Sequence, residues 1–390
     1  MPEKVTKKTS KLKVSLSSGP DSISSRFLTD NVTSLALPLS VLFNKSFQSG
    51  VVPVDWRTAN VTPIFKKGSI GDPGNYHPIS LTSIPCKVKE SVMRDEIVDY
   101  LVSNQPIKSS QHGFMAYHLC TTNPLEFLET VTKSYDKGEP MDVIYFDFSK
   151  AFDKLPPCRL LHKMEALGIS GDLLKSIDSW LKDRKQRTVH KGSCSVWADV
   201  LSGVPQGSVL GPLLFVIFIN DLDECTATIS TMMKFEDDMK LGNKATNSVD
   251  CILMQQCIDK LIAWANMWCM EFNVKKCKVM HIGKGNPIYQ YSMNGTPLQV
   301  CEGERDIGVQ ISNTLKPATK CAEATCRANA ILTQIFRAFM YRDRRVFVQL
   351  YKQFVRCHLE FSTPAWSPWQ AGDIQLLVKV QMTAFRMISG

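Results

Sequence analysis

Tyr145-Phe146-Asp147-Phe148-Ser149-Lys150-Ala151-Phe152-Asp153 sets a carboxylate at the end of an apolar, β-forming run, and Phe235-Glu236-Asp237-Asp238 does so again further along the chain. A charged group in a hydrophobic strand costs free energy unless something compensates it. Carboxylates gathered in one place repel and raise each other's pKa, and divalent cations with oxygen ligands relieve that repulsion. Such clusters suit two oxygen-ligated Mg²⁺ ions, the arrangement that in-line nucleotidyl transfer uses.

Outward from these clusters, Met141 to Phe146 reads as a strand ending at Asp147. Thr231 to Leu241 fits two short strands joined at the acidic turn, a hairpin that thrusts Asp237 outward. Residues 158–183 read as two helices broken at Gly168 and Gly171, Val189 to Val200 as a hairpin, and Val209 to Leu222 as a helix interrupted by Gly211-Pro212. Helix 248–270 carries Trp264 and Trp268 on one face, a spacing typical of core packing. Glu271 to Ile282 returns as strand. On the N-terminal side, Ile23 to Phe47 has helical spacing, Val61 to Phe65 reads as a strand before Lys66-Lys67, and 84–103 and 123–137 as amphipathic helices. From 317 to 361 the pattern is helical and basic, with Arg337, Arg342, Arg344 and Arg345 close together. Residues 1–18 are polar and basic, and disorder is the expectation.

The chain has 390 residues, 44% of them hydrophobic, and a net charge of +9. That charge is uneven. Residues 1–70 hold ten basic and four acidic side chains and residues 321–390 nine and four, leaving a slightly acidic centre. Basic ends around a candidate metal site suit a protein that grips a polyanion, and a generic basic surface is the equal alternative on charge alone. The thirteen cysteines contain no Cys-x-x-Cys pair and their number is odd, which points to free thiols in a reducing compartment. No apolar leader is visible, and the longest apolar run, Leu213 to Ile219, is too short to span a bilayer. The expectation is an intracellular protein, cytoplasmic or nuclear, that is not secreted and has no membrane or protein partner.

The order of motifs resembles the reverse transcriptase of non-LTR (LINE-type) retrotransposons, nearest the jockey-like group. The resemblance runs from Gly19-Pro20-Asp21 through Asn75-Tyr76-His77-Pro78-Ile79-Ser80-Leu81, Gln111-His112-Gly113-Phe114, the first acidic motif and Ser202-Gly203-Val204-Pro205-Gln206-Gly207-Ser208. It continues through the acidic hairpin and Phe272-Asn273-Val274-Lys275-Lys276-Cys277 to Asp306-Ile307-Gly308-Val309. It implies an α+β right-hand polymerase, with fingers over 19–138, palm over 139–315 and a helical thumb and downstream segment over 316–390. The partners implied are an RNA template, a DNA primer and dNTPs.

Roles follow residue by residue from the resemblance. Asp147, Asp237 and Asp238 would be catalytic, holding two Mg²⁺ ions, with Mn²⁺ as the alternative, and the Phe148 carbonyl would add an oxygen ligand. Lys276 would protonate the pyrophosphate leaving group. Phe152 would be the gate against a 2′-hydroxyl, Pro205, Gln206 and Gly207 would border the nascent base pair, and Lys66 would touch the dNTP. Lys67, Arg337, Arg342, Arg344 and Arg345 would hold nucleic-acid backbone. Each of these positions also has a plainer reading, as a core aromatic, a strand-to-helix turn or a solvated charge.

Four departures from the family pattern stand out. Glu236 replaces a usual Ala directly before the Asp pair, and His77 and His118 stand where Arg is usual; Met239 replaces a usual Thr. Crowding or burying charge at Glu236 would cost about 1–3 kcal/mol or more, and at about 1.4 kcal/mol per tenfold the expected loss in rate is roughly 10 to 1000-fold. An inactive nucleic-acid-binding remnant, or a pseudogene product, is the alternative to an active polymerase. No endonuclease is encoded upstream of Gly19 and no cysteine-rich module follows Gly390, so this sequence alone is not expected to retrotranspose.

Overall fold

A computed structural model describes residues 1–15, 17–104, 107–113, 119–227, 229, 231–339 and 343–389. The chain builds two compact units and passes between them repeatedly. Met1–Phe114, Phe148–Cys225 and Leu261–Phe272 form the first, and Met115–Asp147, Thr226–Lys260 and Asn273–Gly390 the second.

In the first unit, the strand Thr58–Phe65 pairs antiparallel with Tyr76–Thr82 and parallel with Arg184–His190, whose other side takes Ser193–Cys194 and Ala198–Val200. Tyr76–Thr82, quoted above only as a motif, is an edge strand, the one place in a sheet where Pro78 and its missing N–H are tolerated. Helices Ile84–Asn104, Pro157–Ala166, Gly171–Leu181 and Gly211–Phe218 supply the apolar interior. Gly211–Phe218 is buried along its whole length, so the run from Leu213 is core. Trp264 and Trp268 are not packed on aliphatic side chains alone. The ammonium of Lys163 lies 4.5 Å and 3.8 Å from their ring centres and donates to the Phe218 carbonyl and the Asp221 carboxylate, both at 2.6 Å.

The N-terminal stretch expected to be disordered contains the helix Pro2–Ser10. Val5 on its inner face is fully buried, and Lys4 and Lys8 pair with Glu96 and Asp95 of Ile84–Asn104. Composition alone counted these lysines as unmatched charge; their partners lie some ninety residues away, beyond the reach of local pattern.

The second unit is organised by a five-stranded sheet in the order Gln299–Val300, Lys278–Ile282, Met141–Phe146, Asp238–Lys244, Thr231–Phe235. Met141–Phe146 is central and antiparallel to both neighbours, with Phe146 opposite Met239 and Tyr145 opposite Lys278. Five of its six residues are buried, which is why it reads as a near-continuous apolar run. The exception in type, Asp142, is completely buried yet fully satisfied: Tyr291 donates to it at 2.6 Å, Asn286 at 2.8 Å, and His281 Nδ1 lies at 2.6 Å. Helix Thr122–Asp136 packs Phe127 and Val131 against Val143, Met233 and Met280. Beyond the sheet, the hairpin Gly303–Asp306/Val309–Ser312 leads to helices Ala318–Ala338, Arg344–Leu350, Arg356–Glu360 and Ala371–Ser389, and Leu332, Phe347 and Val380 from three of them form a core with Val355 of the wider turn Tyr351–Val355. No helix among the described residues is long and apolar enough to cross a membrane.

Gly203 shows how tightly the 202–207 loop is seated in the first unit. Its φ is +76°, and a Cβ there would stand 2.4 Å from the Phe152 carbonyl oxygen and 2.6 Å from the Asp153 Cα. Arg184 donates to the carbonyls of Ser202 and Gly203, and the Val204 amide to that of Phe152 at 2.7 Å. Gly203→Ala is expected to cost about 2–4 kcal/mol, read as a lowered unfolding midpoint in denaturant.

Candidate functional site

Register places the acidic groups of the second unit. Phe146 faces Met239 as the last pair of these two strands, so Asp147 and Asp238, the next residue on each, lie at the same end of the sheet. The hairpin that carries Asp238 closes with Phe235 opposite Asp238, which leaves Glu236 and Asp237 as a two-residue turn. Glu236 occupies its first position at φ +57°, a left-handed conformation that Gly, Asn or Asp take with less strain. Asp147, Asp238 and Lys276 line one cavity of about 350 Å³, together with Lys240, Lys275, Lys278, Glu304, Arg305, Asp306 and Ile307.

Lys276 reaches this cavity through backbone geometry. The Asn273 amide donates to the Asp147 carbonyl at 2.7 Å and the Lys276 amide to Asn273 at 2.8 Å, so the motif turns tightly beside the strand end. The Lys276 ammonium then sits 3.0 Å from both Asp147 carboxylate oxygens. This ion pair is well solvated, with Lys276 64% exposed, so it is a weak and breakable contact.

The carboxylates at the turn crowd one another. Desolvation and the charges of Asp237 and Asp238 push Glu236 up to about 7. Asp238 keeps an exposed edge, but the protein around its carboxylate, then Asp237, Asp306 and Asp147, push it up to about 6. Among the described residues no three His, Cys, Asp or Glu side chains converge closely enough to enclose a metal ion. What fits a hard divalent cation is the donor chemistry: carboxylate oxygens on one cavity wall whose repulsion a cation would neutralise.

The remaining candidates divide between the units. Phe148 belongs to the first unit, its ring stacked on Phe272 at 4.5 Å. Phe152, half-buried, stacks on Phe215 at 5.1 Å. Its carbonyl holds the loop containing Pro205, Gln206 and Gly207, and the Ser80 amide donates to Gln206 at 2.8 Å. Gly207, at φ +108°, approaches the Ser80 carbonyl so closely that a Cβ would lie 2.9 Å from it. Lys66 and Lys67 are exposed, just after Thr58–Phe65, and His77 pairs with Ile64 in the same sheet. In the second unit Arg337 is exposed near the end of Ala318–Ala338, and Arg344 and Arg345 open the next helix, capped by Asp343. Met239 is buried beside Phe146. Arg342 and His118 lie outside the described residues.

Glu90 escaped the sequence reading. It is 1% exposed on Ile84–Asn104 and accepts the amides of Val209 and Leu210 at 2.7 and 3.2 Å, at the start of Gly211–Phe218. It thus anchors the far end of the 205–207 loop and meets the positive end of the helix. The available signal was a carboxylate between Val88 and Val92, at a core position of its helix.

The family model described as reverse transcriptase (RNA-dependent DNA polymerase) matches residues 64–320. The probable RNA-directed DNA polymerase from transposon X-element of Drosophila melanogaster is 24% identical over 379 residues, covering 92% of this chain and 41% of its own length. The RNA-directed DNA polymerase from mobile element jockey of Drosophila funebris is 28% identical, covering 70% of this chain and 31% of its own length. The chain therefore spans less than half of these relatives. Apo telomerase from Candida tropicalis superposes with a TM-score of 0.53 at 14% identity, covering 91% of this chain and 64% of that one. At that identity the likeness concerns fold, which is α+β of the right-hand polymerase type.

The raised carboxyls set a sign for pH dependence. A carboxyl whose folded pKa exceeds its unfolded value binds its proton more tightly in the folded state, so stability falls as pH rises from about 4.5 towards 7. In EDTA, Glu236→Gln is expected to stabilise the protein by about 1–2 kcal/mol at pH 8, allowing for solvent screening, and by little at pH 5. Thermal melts of both proteins at the two pH values measure this, and no gain at pH 8 would contradict it.

Proposed function

The chain belongs to the reverse transcriptase (RNA-dependent DNA polymerase) family, and on that premise we propose that it is a non-LTR retrotransposon polymerase that extends a DNA primer on an RNA template using dNTPs. The observation that supports this reading is that Asp147, Asp238 and Lys276 line the same cavity, with the Lys276 ammonium on the Asp147 carboxylate. Two Mg²⁺ ions, or Mn²⁺, held by Asp147, Asp237 and Asp238 with the Phe148 carbonyl, would supply Lewis-acid activation of the primer 3′-hydroxyl and charge neutralisation on the triphosphate.

The chain's own groups do the rest. Lys276 holds its proton at Nζ on a solvated, breakable ion pair, so it is free to serve the departing pyrophosphate. Phe152, fixed by its stack on Phe215, presents a rigid ring that excludes a 2′-hydroxyl. Pro205, Gln206 and Gly207 border the nascent pair, with Gly allowing close backbone approach. Lys66 holds dNTP phosphate, and Lys67, Arg337, Arg344 and Arg345 bind backbone phosphates without reading sequence. In this reading 19–138 serve as fingers, 139–315 as palm and 316–390 as thumb, and the work is intracellular.

Glu236 supports a second reading, an inactive remnant that binds nucleic acid. Its strained turn conformation sets a longer acidic side chain beside Asp237 and Asp238. Mg²⁺-dependent primer extension on an RNA template separates the two. We expect extension by the native chain, a loss of at least about 1000-fold in Asp147→Ala, and a gain of about 10 to 1000-fold in Glu236→Ala. Extension by Glu236→Ala alone would mark a silenced polymerase, and none by any of the three would favour the remnant.

A further inference from the structure

We propose that Lys278 and Lys240 are positioning residues that clamp the hairpin Gly303–Ser312 onto the sheet beside the catalytic carboxylates, fixing where the reacting strand end is presented. The inference rests on the polymerase reading. Its basis is a row of side chains running straight across the sheet. Lys278 is opposite Tyr145, Tyr145 opposite Lys240, and Lys240 opposite Met233. Side chains two apart on a strand share a face. Asp238 is two before Lys240 on the same strand, and Asp147 and Lys276 line one cavity with Tyr145, Asp238, Lys240 and Lys278, so the clamp row and the candidate catalytic groups border the same space.

The hairpin answers that row with matching charges. Glu304 and Asp306, two apart on Gly303–Asp306, meet the two lysines: Lys278 Nζ lies 2.6 Å from Glu304 Oε2, and Lys240 pairs with Asp306. The second pair is buried, with side chains 3% and 6% exposed, and the Lys240 ammonium also lies 4.7 Å from the Phe127 ring centre. A buried ion pair is a poor source of stability, because well-packed apolar residues in its place are often as stable or more so. What it supplies is register, since sliding the hairpin by one residue would turn both carboxylates away from both lysines.

The tip of the hairpin is strained, and the clamp accounts for its persistence. Ile307 and Gly308 form a two-residue turn with φ +44° and +81°. Gly suits such a turn; a β-branched residue there is a true outlier, tolerated when surrounding structure over-determines it. Ile307 lines the same cavity as Asp147 and Asp238. The clamped tip thus presents an apolar side chain to whatever strand end enters that cavity.

Reciprocal charge reversal at the partly exposed pair tests the idea. Lys278→Glu and Glu304→Lys singly are expected to lower kcat for primer extension at least tenfold, with the KM for dNTP within threefold of native. The double variant should recover to within threefold. In parallel, anisotropy with a recessed RNA–DNA duplex gives affinity, and 2-aminopurine at the primer 3′ end reports its surroundings without catalysis. The single variants should shift that signal while affinity changes less than threefold, and the double variant should restore it. Single variants that match the native protein in rate and signal would overturn the clamp, as would a double variant that regains its thermal midpoint but neither rate nor signal. A native chain that does not bind the duplex at all would overturn the polymerase reading, and the clamp with it. A native chain that binds without extending leaves the fluorescence arm to decide the clamp by itself.

Discussion

Mutual repulsion among Asp147, Asp237, Asp238 and Glu236 is the constraint around which the second unit is arranged. Burial first, and then the neighbouring carboxylates, drive Glu236 and Asp238 towards protonation. The sheet keeps the carboxylates close, because its last pair, Phe146 with Met239, stands directly before Asp147 on one strand and directly after Asp238 on the other. Cationic side chains therefore gather at the same cavity: Lys276 on Asp147, and Lys240, Lys275, Lys278 and Arg305 around it. Most of these are solvated and give up their contacts cheaply, whereas Lys240 is committed to Asp306 in the interior. The site is thus a balance between charges that can be displaced and charges that cannot.

What could be read from sequence was whatever repeats locally. Alternation and apolar runs located Met141–Phe146 and the acidic hairpin, and helical spacing located Ile84–Asn104 and Thr122–Asp136 within a residue or two. Order of motifs then indicated fold and family. Hidden were choices of partner across long sequence separations. Nothing in Lys240 distinguishes it from a solvated lysine until Asp306 is folded against it. Asp142 resembles a strand defect until Tyr291, Asn286 and His281 are found around its oxygens. The Trp264 and Trp268 pair was readable as core, but its enclosure of the Lys163 ammonium was not, because a cation over a ring leaves no periodic trace. For the same reason Glu90 was overlooked: its meaning lies in two backbone amides on a distant turn.

Glu236 joins local strain and electrostatics at one position. A two-residue turn that needs a positive φ at its first residue already narrows the acceptable side chains. Glu meets neither preference of the site, having a Cβ that resists the left-handed region and a charge that adds to two others. Its retention in a folded hairpin shows that the pairing of Thr231–Phe235 with Asp238–Lys244, extended by the central strand, outweighs the local cost. The departure therefore bears on chemistry at the turn rather than on whether the sheet forms.

The central position of Met141–Phe146 has a consequence for biosynthesis. Both of its sheet neighbours, Asp238–Lys244 and Lys278–Ile282, are encoded far downstream. At ribosomal speeds of about 5–20 residues per second, the strand waits on the order of ten seconds with both hydrogen-bonding edges unpaired. Val143-Ile144-Tyr145-Phe146 is during that interval an adhesive segment of the kind that nucleates cross-strand aggregation. Asp142 and Asp147 bracket it, and charge at both ends of an apolar β-run acts as a gatekeeper. The aspartate that the finished fold commits to its cavity guards the nascent chain first.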